Sequence, residues 1–409
     1  MKQNKYLSIL FLVLTLAGCT RDQQNSSSLD TITTTHSNPS RSQQEFPFID
    51  FKKQNEVTIA STMPIPNEAE EKSLPLALQR LHIKTGENNK FTYFKSHIME
   101  FEETNNKNQE KTWEILSPLY EQLGTGNLSL NLEQKIFLDE WNRKISGDLE
   151  KNISDLAGYD FCQAPYNMKS HMANLAQFSD NFRTYLFATL EAKDIKKTLI
   201  KRTRNISAAT ASLMECYPNL IVVMVGVSLQ NDVAKITDTL LKTRKIDKGT
   251  ARNVAKSLLK KDQLLVYLKN SIINEFWLGT YSYAKLNKEY FSKIQKEYKN
   301  RFPDDSYLLF DENEFLSKSA ACYQALISFL TDKKENNFAV CQFKSTIQFE
   351  KDDLVEKITW KELHEENIKM PGVLTQNLLA LFLSNMPKAE KVTLEEIENL
   401  NRLSVQLRK

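Results

Sequence analysis

Apolar residues recur at helical spacing along most of this chain, and little of it reads as sheet. Phe137, Trp141, Ile145, Leu149, Ile153 and Leu156 fall at steps of four, four, four, four and three. That stripe predicts one continuous helix over about Asn131–Ala157, stopped by Gly158. Met172, Leu175, Phe178, Phe182, Tyr185 and Leu186 predict another within Tyr166–Lys193. A third is expected over about Asp194–Glu215, with Pro218 beyond its end, and a fourth over Leu220–Leu241, which starts nearly all apolar and turns amphipathic. Leu264–Tyr298 carries two aromatic rows repeating at seven: Phe276, Tyr283 and Tyr290, and beside them Trp277, Ala284, Phe291 and Tyr298. It predicts a long helix whose aromatic face is buried, since a stripe at helical period is a burial signal before it is a ring-stacking surface.

Further along, Glu312–Thr331 reads as helix, Lys333–Asn337 as a polar loop, and Phe338–Phe349 as a short strand or hairpin. Thr393 and Glu396 are spaced as a capping box ahead of Leu394, Ile397, Leu400, Leu403 and Leu407. Before residue 110 the prolines Pro47, Pro64, Pro66 and Pro75 interrupt the pattern, leaving short helices near Leu74–Ile83 and Phe91–Phe101. With only 10 glycines in 409 residues, tight hairpins are scarce and a sandwich or barrel is disfavoured. The fold class expected is all-α, an irregular multi-helix bundle with at most a small β element near 338–349.

The first twenty residues follow a different logic. Lys2 and Lys5 precede an apolar run from Tyr6 to about Leu16, and then come Ala17, Gly18 and Cys19. This order is that of a secretory signal, and the run is shorter than the ~20 residues a span requires. Leu16-Ala17-Gly18-Cys19 resembles the lipobox of bacterial lipoproteins. The resemblance implies cleavage before Cys19, diacylglycerol on its sulfur and an acyl chain (such as palmitate) on the new amine. Thr20 follows, where Asp would favour inner-membrane retention, and by resemblance to enterobacterial lipoprotein sorting this implies the outer membrane. Residues 20–45 are rich in Ser, Thr, Gln and Asn and read as a flexible tether spanning roughly 30 Å. The expected organisation is a signal peptide at 1–18, the lipidated Cys19 and tether at 19–45, and a helical domain at 46–409 with a sub-boundary near 301–306.

Export changes how the cysteines read. With Cys19 lipidated, Cys162, Cys216, Cys322 and Cys341 remain, an even number in an oxidising compartment. Three connectivities are open, and nearest-neighbour pairing gives Cys162–Cys216 and Cys322–Cys341.

Charge is segregated behind a small total of +3. Residues 19–192 carry net −7, residues 193–301 net +13 and residues 302–409 net −5. The basic block includes Lys197, Lys201, Arg202, Arg204, Lys242, Arg244, Lys245 and Arg252. Such a block either attracts an anionic partner or is a solvated face neutralised by the chain's own acids. In an envelope the partner would be an anionic lipid, a wall polymer or another protein, and export argues against nucleic acid.

Catalytic chemistry finds little support in the sequence. Lys84-Thr85-Gly86, Ser179-Asp180-Asn181 and Ser257-Leu258-Leu259-Lys260 match the short elements of penicillin-binding proteins, but in reverse order. His364-Glu365-Glu366 lacks the second His of a zincin, and carboxylate pairs such as Asp304-Asp305 are unspecific. No metal or cofactor is expected. The expected role is a non-catalytic binding or scaffolding lipoprotein of the envelope. The alternatives are a hydrolase of wall or lipid, and an assembly factor docking a membrane protein through Phe276, Trp277, Tyr283 and Phe291.

Overall fold

A computed structural model describes residues 78, 88–99, 101, 108–125, 128–162, 175–333, 335–343 and 360–409. Cys19, the signal-like segment and the tether lie outside the described residues, as do 344–349. The fold is all-α. The helices are α1 Phe91–Phe94, α2 Asn108–Thr125, α3 Leu132–Lys144, α4 Ser146–Asp155, α5 Leu175–Phe187, α6 Ile195–Cys216, α7 Leu220–Lys242 and α8 Lys248–Ser257. They continue with α9 Lys261–Asn274, α10 Ser282–Leu286, α11 Lys288–Arg301, α12 Glu312–Asp332, α13 Trp360–Lys369, α14 Val373–Leu383 and α15 Met386–Arg408.

Local chemistry sets many of these boundaries. Asn131 and Gln134 form a reciprocal capping box at the start of α3. Asp194, Asn219 and Asp247 each accept a backbone N–H of their own first turn, opening α6, α7 and α8. The expected single helix over 131–157 is two, broken at Ile145. Each step of four overshoots a 3.6-residue turn by about 40°, so a stripe of repeated fours winds around a straight helix. The break restores the phase: Leu138, Trp141, Leu149, Ile153 and Leu156 are buried, whereas Phe137 and Ile145 are only half-buried.

The chain divides into two compact units. The larger one holds α1 to α10, α12 and α15, and α7 is its centre. This helix packs against α6, α9, α5 and α15, and α15 also packs on α8 and α9. Gly226 lets α7 approach α6 closely, because a Cβ there would lie 2.9 Å from Thr210 Cγ2 and 3.1 Å from Met214 Sδ. Asn231 of α7 donates to Glu396 Oε2 of α15 at 2.8 Å. By length and composition α7 could cross a membrane, yet 72 % of its apolar window is buried within the fold, as a core helix requires.

Disulfides join Cys162 to Cys216 and Cys322 to Cys341, with Cα–Cα distances of 4.7 and 4.9 Å. The second one holds a 3₁₀ turn, Glu335–Cys341, against α12. The described part of the expected strand, Phe338–Phe343, is therefore this turn and two irregular residues.

Two more expectations need correction. The aromatic helix over 264–298 is interrupted by a π-helical turn at Glu275–Tyr281 and by Asn287. Its face is buried as expected: Phe276, Trp277 and Phe291 are in the core, and Tyr283 is half-buried against Phe382. Phe276, Trp277 and Phe291 are therefore closed to docking, while Tyr283 keeps part of its surface exposed. Thr393 caps nothing, because α15 begins seven residues earlier at Met386 with Pro387 in its first turn. The Thr393 hydroxyl donates back to Ala389 O at 2.7 Å inside the helix.

The smaller unit comprises Asn287–Asp311 and, among its other described residues, 360–378. It contains α11, α13 and the first part of α14. Leu308 and Leu309 run beside the start of α14, accepting from Gly372 and Leu374 at 3.0 Å each. Phe291 stacks on Phe310 at 4.0 Å. The stretch 301–306, expected as a boundary, lies inside this unit, where the Asp305 N–H bonds Phe302 O and closes a turn.

Candidate anion-binding cleft

The first two turns of α6 carry Lys196, Lys197, Lys201 and Arg202, with Lys193 just ahead of them. Cations at a helix N-terminus face the positive end of the macrodipole, so this placement works against helix stability. It also gathers ammonium groups at the positive end of the helix, whose first turn is capped by the Asp194 carboxylate. Lys193, Lys197, Lys201 and Arg202 line an open cleft of about 410 Å³ whose walls come from α3, α4, the 3₁₀ turn Ala188–Glu191 and α6, whereas Lys196 pairs with Asp247 at 2.6 Å. Asp139, Asn142, Glu150, Glu191, Lys193, Lys197, Thr198, Lys201 and Arg202 border it.

Arg202 is the anchor of this wall and is only 4 % exposed. Its Nη1 donates to Tyr185 O at 2.8 Å, and its Nη2 to Asn142 Oδ1 at 2.6 Å and Ser146 Oγ at 2.8 Å. The guanidinium also lies 4.5 Å from the Tyr185 ring centroid. Burial lowers its pKa from the usual arginine value. All four of its acceptors, Thr189 Oγ1 included, are neutral, and its Nε is buried without a hydrogen-bond partner among the described residues. Lys201 pairs with Glu150 Oε2 at 2.5 Å, while Glu150 Oε1 accepts from the Tyr185 hydroxyl. Burial, with Glu150 beside it, pushes the Tyr185 phenol far above its ordinary pKa. Lys193 and Lys197 are exposed and carry no ion pair among the described residues.

The cleft gathers three of the eight basic residues expected to meet a partner: Lys197, Lys201 and Arg202. Arg202 does not belong to a solvated patch, because its guanidinium is buried in hydrogen bonds that tie α6 to α3 and α4. Arg204 is exposed elsewhere on α6. Lys242 pairs with Asp238 at 2.7 Å, and it stands with Arg244 and Lys245 at the C-terminal end of α7, where cations complement the dipole. Arg252 is committed to the carbonyls of Arg408 and Lys409, at 2.9 and 3.0 Å. The basic block therefore divides into a structural part and a cleft part. Sequence reading missed Asn142, Glu150 and Glu191, since they come from segments of opposite charge. The available signal was local: an Asp194 N-cap followed at once by lysines that a helix start does not favour.

The smaller unit holds a second polar cluster. The Tyr298 hydroxyl donates to Asp305 Oδ2 and lies 2.8 Å from His364 Nδ1. Asn367 Nδ2 donates to both Tyr298 Oη and Asp305 Oδ2 at 3.2 Å. The His364 ring stacks on Phe302 at 3.9 Å. Burial raises the Asp305 pKa, but the bonds from Tyr298, Tyr307 N–H and Asn367 outweigh it and leave the carboxyl below its usual value. Two motifs the sequence leaves unspecific, Asp304-Asp305 and His364-Glu365-Glu366, thus meet here. Among the described residues no group of His, Cys, Asp and Glu could hold a metal ion.

Compared with family models, curated proteins and solved structures, the chain matches none.

Proposed function

We propose that this chain is a lipid-anchored, non-catalytic protein of the bacterial envelope, attached through Cys19, that binds an anionic envelope component in the cleft at the start of α6. One observation carries the reading: two unpaired lysines and a buried arginine with only neutral acceptors converge on one concave surface. Cations placed against the helix dipole without acidic partners are costly for a purely structural purpose. The outer membrane is the proposed address, on the strength of Thr20 after Cys19. Binding of the full chain to lipid A, cardiolipin and wall fragments across a salt series tests the cleft. Affinity that falls with salt and drops in the Lys193→Ala/Lys197→Ala variant supports it. Absent or salt-insensitive binding in every case overturns it. Labelled palmitate incorporated by the wild type and lost in Cys19→Ser tests the anchor.

A second reading, an envelope hydrolase, has the smaller unit's cluster in its favour. Hydrogen bonds from Tyr298 to Asp305 and from Nδ1–H of His364 to Tyr298 would leave Nε2 a proton acceptor, as a general base needs. Hydrolysis of wall peptides or lipid esters lost in His364→Ala and retained in Lys197→Ala would select it over the first.

A further inference from the structure

The cleft's own charges show what is left over for a ligand. Lys201 is taken by Glu150, and Asp139 pairs with Arg143 at 3.1 Å. Asn142 is spent on Arg202 and on Ala188 O. Lys193 and Lys197 carry no ion pair among the described residues on one side, and Glu191, half-buried, has no partner among them on the other. Glu191 pairs with neither lysine, although all line the same space. The remaining charge is unequal, with more positive than negative.

Resting on the reading above, we infer that the cleft takes a phosphate carrying a primary ammonium, of the aminoethyl phosphate type, with the phosphate against Lys193 and Lys197 and the ammonium against Glu191. A phosphate monoester carries about −1.5 to −2 charge and a ring of acceptor oxygens, which suits two point-charge lysines. A single ammonium then balances the one carboxylate that has nothing else to bind. Inorganic phosphate satisfies only half of this surface, and an amine alone meets a net repulsive field. A free aminoalkyl phosphate, a monoester, and the headgroup of phosphatidylethanolamine, a diester carrying a single negative charge, both present a phosphate two carbons from an ammonium.

Isothermal titration calorimetry on the full chain in detergent decides it, with inorganic phosphate, ethanolamine and aminoethyl phosphate as probes. Aminoethyl phosphate is expected to bind about tenfold more tightly than phosphate, the effect of one added charge-assisted contact, with ethanolamine silent. Glu191→Gln is expected to bring the two phosphates to equal affinity, and Lys197→Ala to weaken both. Competition by phosphatidylethanolamine vesicles identifies a lipid source, and binding of the soluble compound without such competition identifies a free one. Equal affinities in the wild type, unchanged in Glu191→Gln, overturn this inference and leave the anion-binding reading standing. No binding of any anion overturns both.

Discussion

Arg202 Nη2 donates to Asn142 Oδ1 across 2.6 Å, binding α6 to α3 through a buried charge. The same guanidinium reaches Tyr185 O and Ser146 Oγ. One side chain therefore organises the wall of the cleft and fixes the angle at which the lysines of α6 enter it.

Arg202→Ala should destabilise the protein by about 3 kcal/mol, since it strands buried acceptors that water cannot reach. Arg202→Lys should restore little, because a single ammonium cannot serve acceptors spread over a planar fork. Urea midpoints of the two variants check this, and a midpoint within error of wild type for either one contradicts it.

Glu390 gives a pH prediction. It is fully buried on α15, both carboxyl oxygens lack partners among the described residues, and burial alone raises its pKa from 4.5 to about 9. A pKa raised by folding favours the protonated native state. Its effect is therefore neutral below pH 4.5, and stability is lost progressively as pH rises from there to about 9. Glu390→Gln should flatten this decline, raising the melting temperature more at pH 8 than at pH 5. Equal gains at both pH values would refute the assignment.

Gly226 is expected to resist the usual helix rule. Replacing a mid-helix glycine by alanine gains about 1 kcal/mol in propensity. Here the new Cβ would meet Thr210 Cγ2 at 2.9 Å, and overpacking costs typically 1–3 kcal/mol. Gly226→Ala should lower the melting temperature, and Thr210→Ser in the same chain should recover part of the loss by removing the obstructing methyl.

The two disulfides should differ in worth by loop length. Cys162–Cys216 closes a separation of 54 residues and Cys322–Cys341 one of 19. Chain entropy assigns them about 4 and about 3 kcal/mol. Paired Cys→Ser variants, compared by thermal melting with and without reductant, should rank in that order.

Asp305 provides an acid-limb test in the smaller unit. Its pKa lies below the usual 3.8, so its contribution is present above that pH and is lost as pH falls through the native value. Tyr298→Phe removes the donor that holds it, and should weaken stability at neutral pH while shallowing the acid transition, as followed by circular dichroism.

Much of this architecture follows from local order along the chain. The 3.6-residue periodicity, the side-chain caps at Asp194 and Asn219 and the scarcity of glycine determined helices α6, α7 and α12 and the all-α class. These signals act over a few residues and survive without tertiary context. The break at Ile145 and the true start of α15 were not legible, because each depends on which face meets a neighbour. The cleft needed the fold outright. Lys197 and Arg202 lie five residues apart on successive turns of α6, but one is solvated and the other is buried, and nothing in a run of basic residues separates them. Asn142, Ser146 and Tyr185 separate them, arriving from 60, 56 and 17 residues away. Sequence set the charge, and three-dimensional packing decided which charges were spent on the protein and which were left for a ligand.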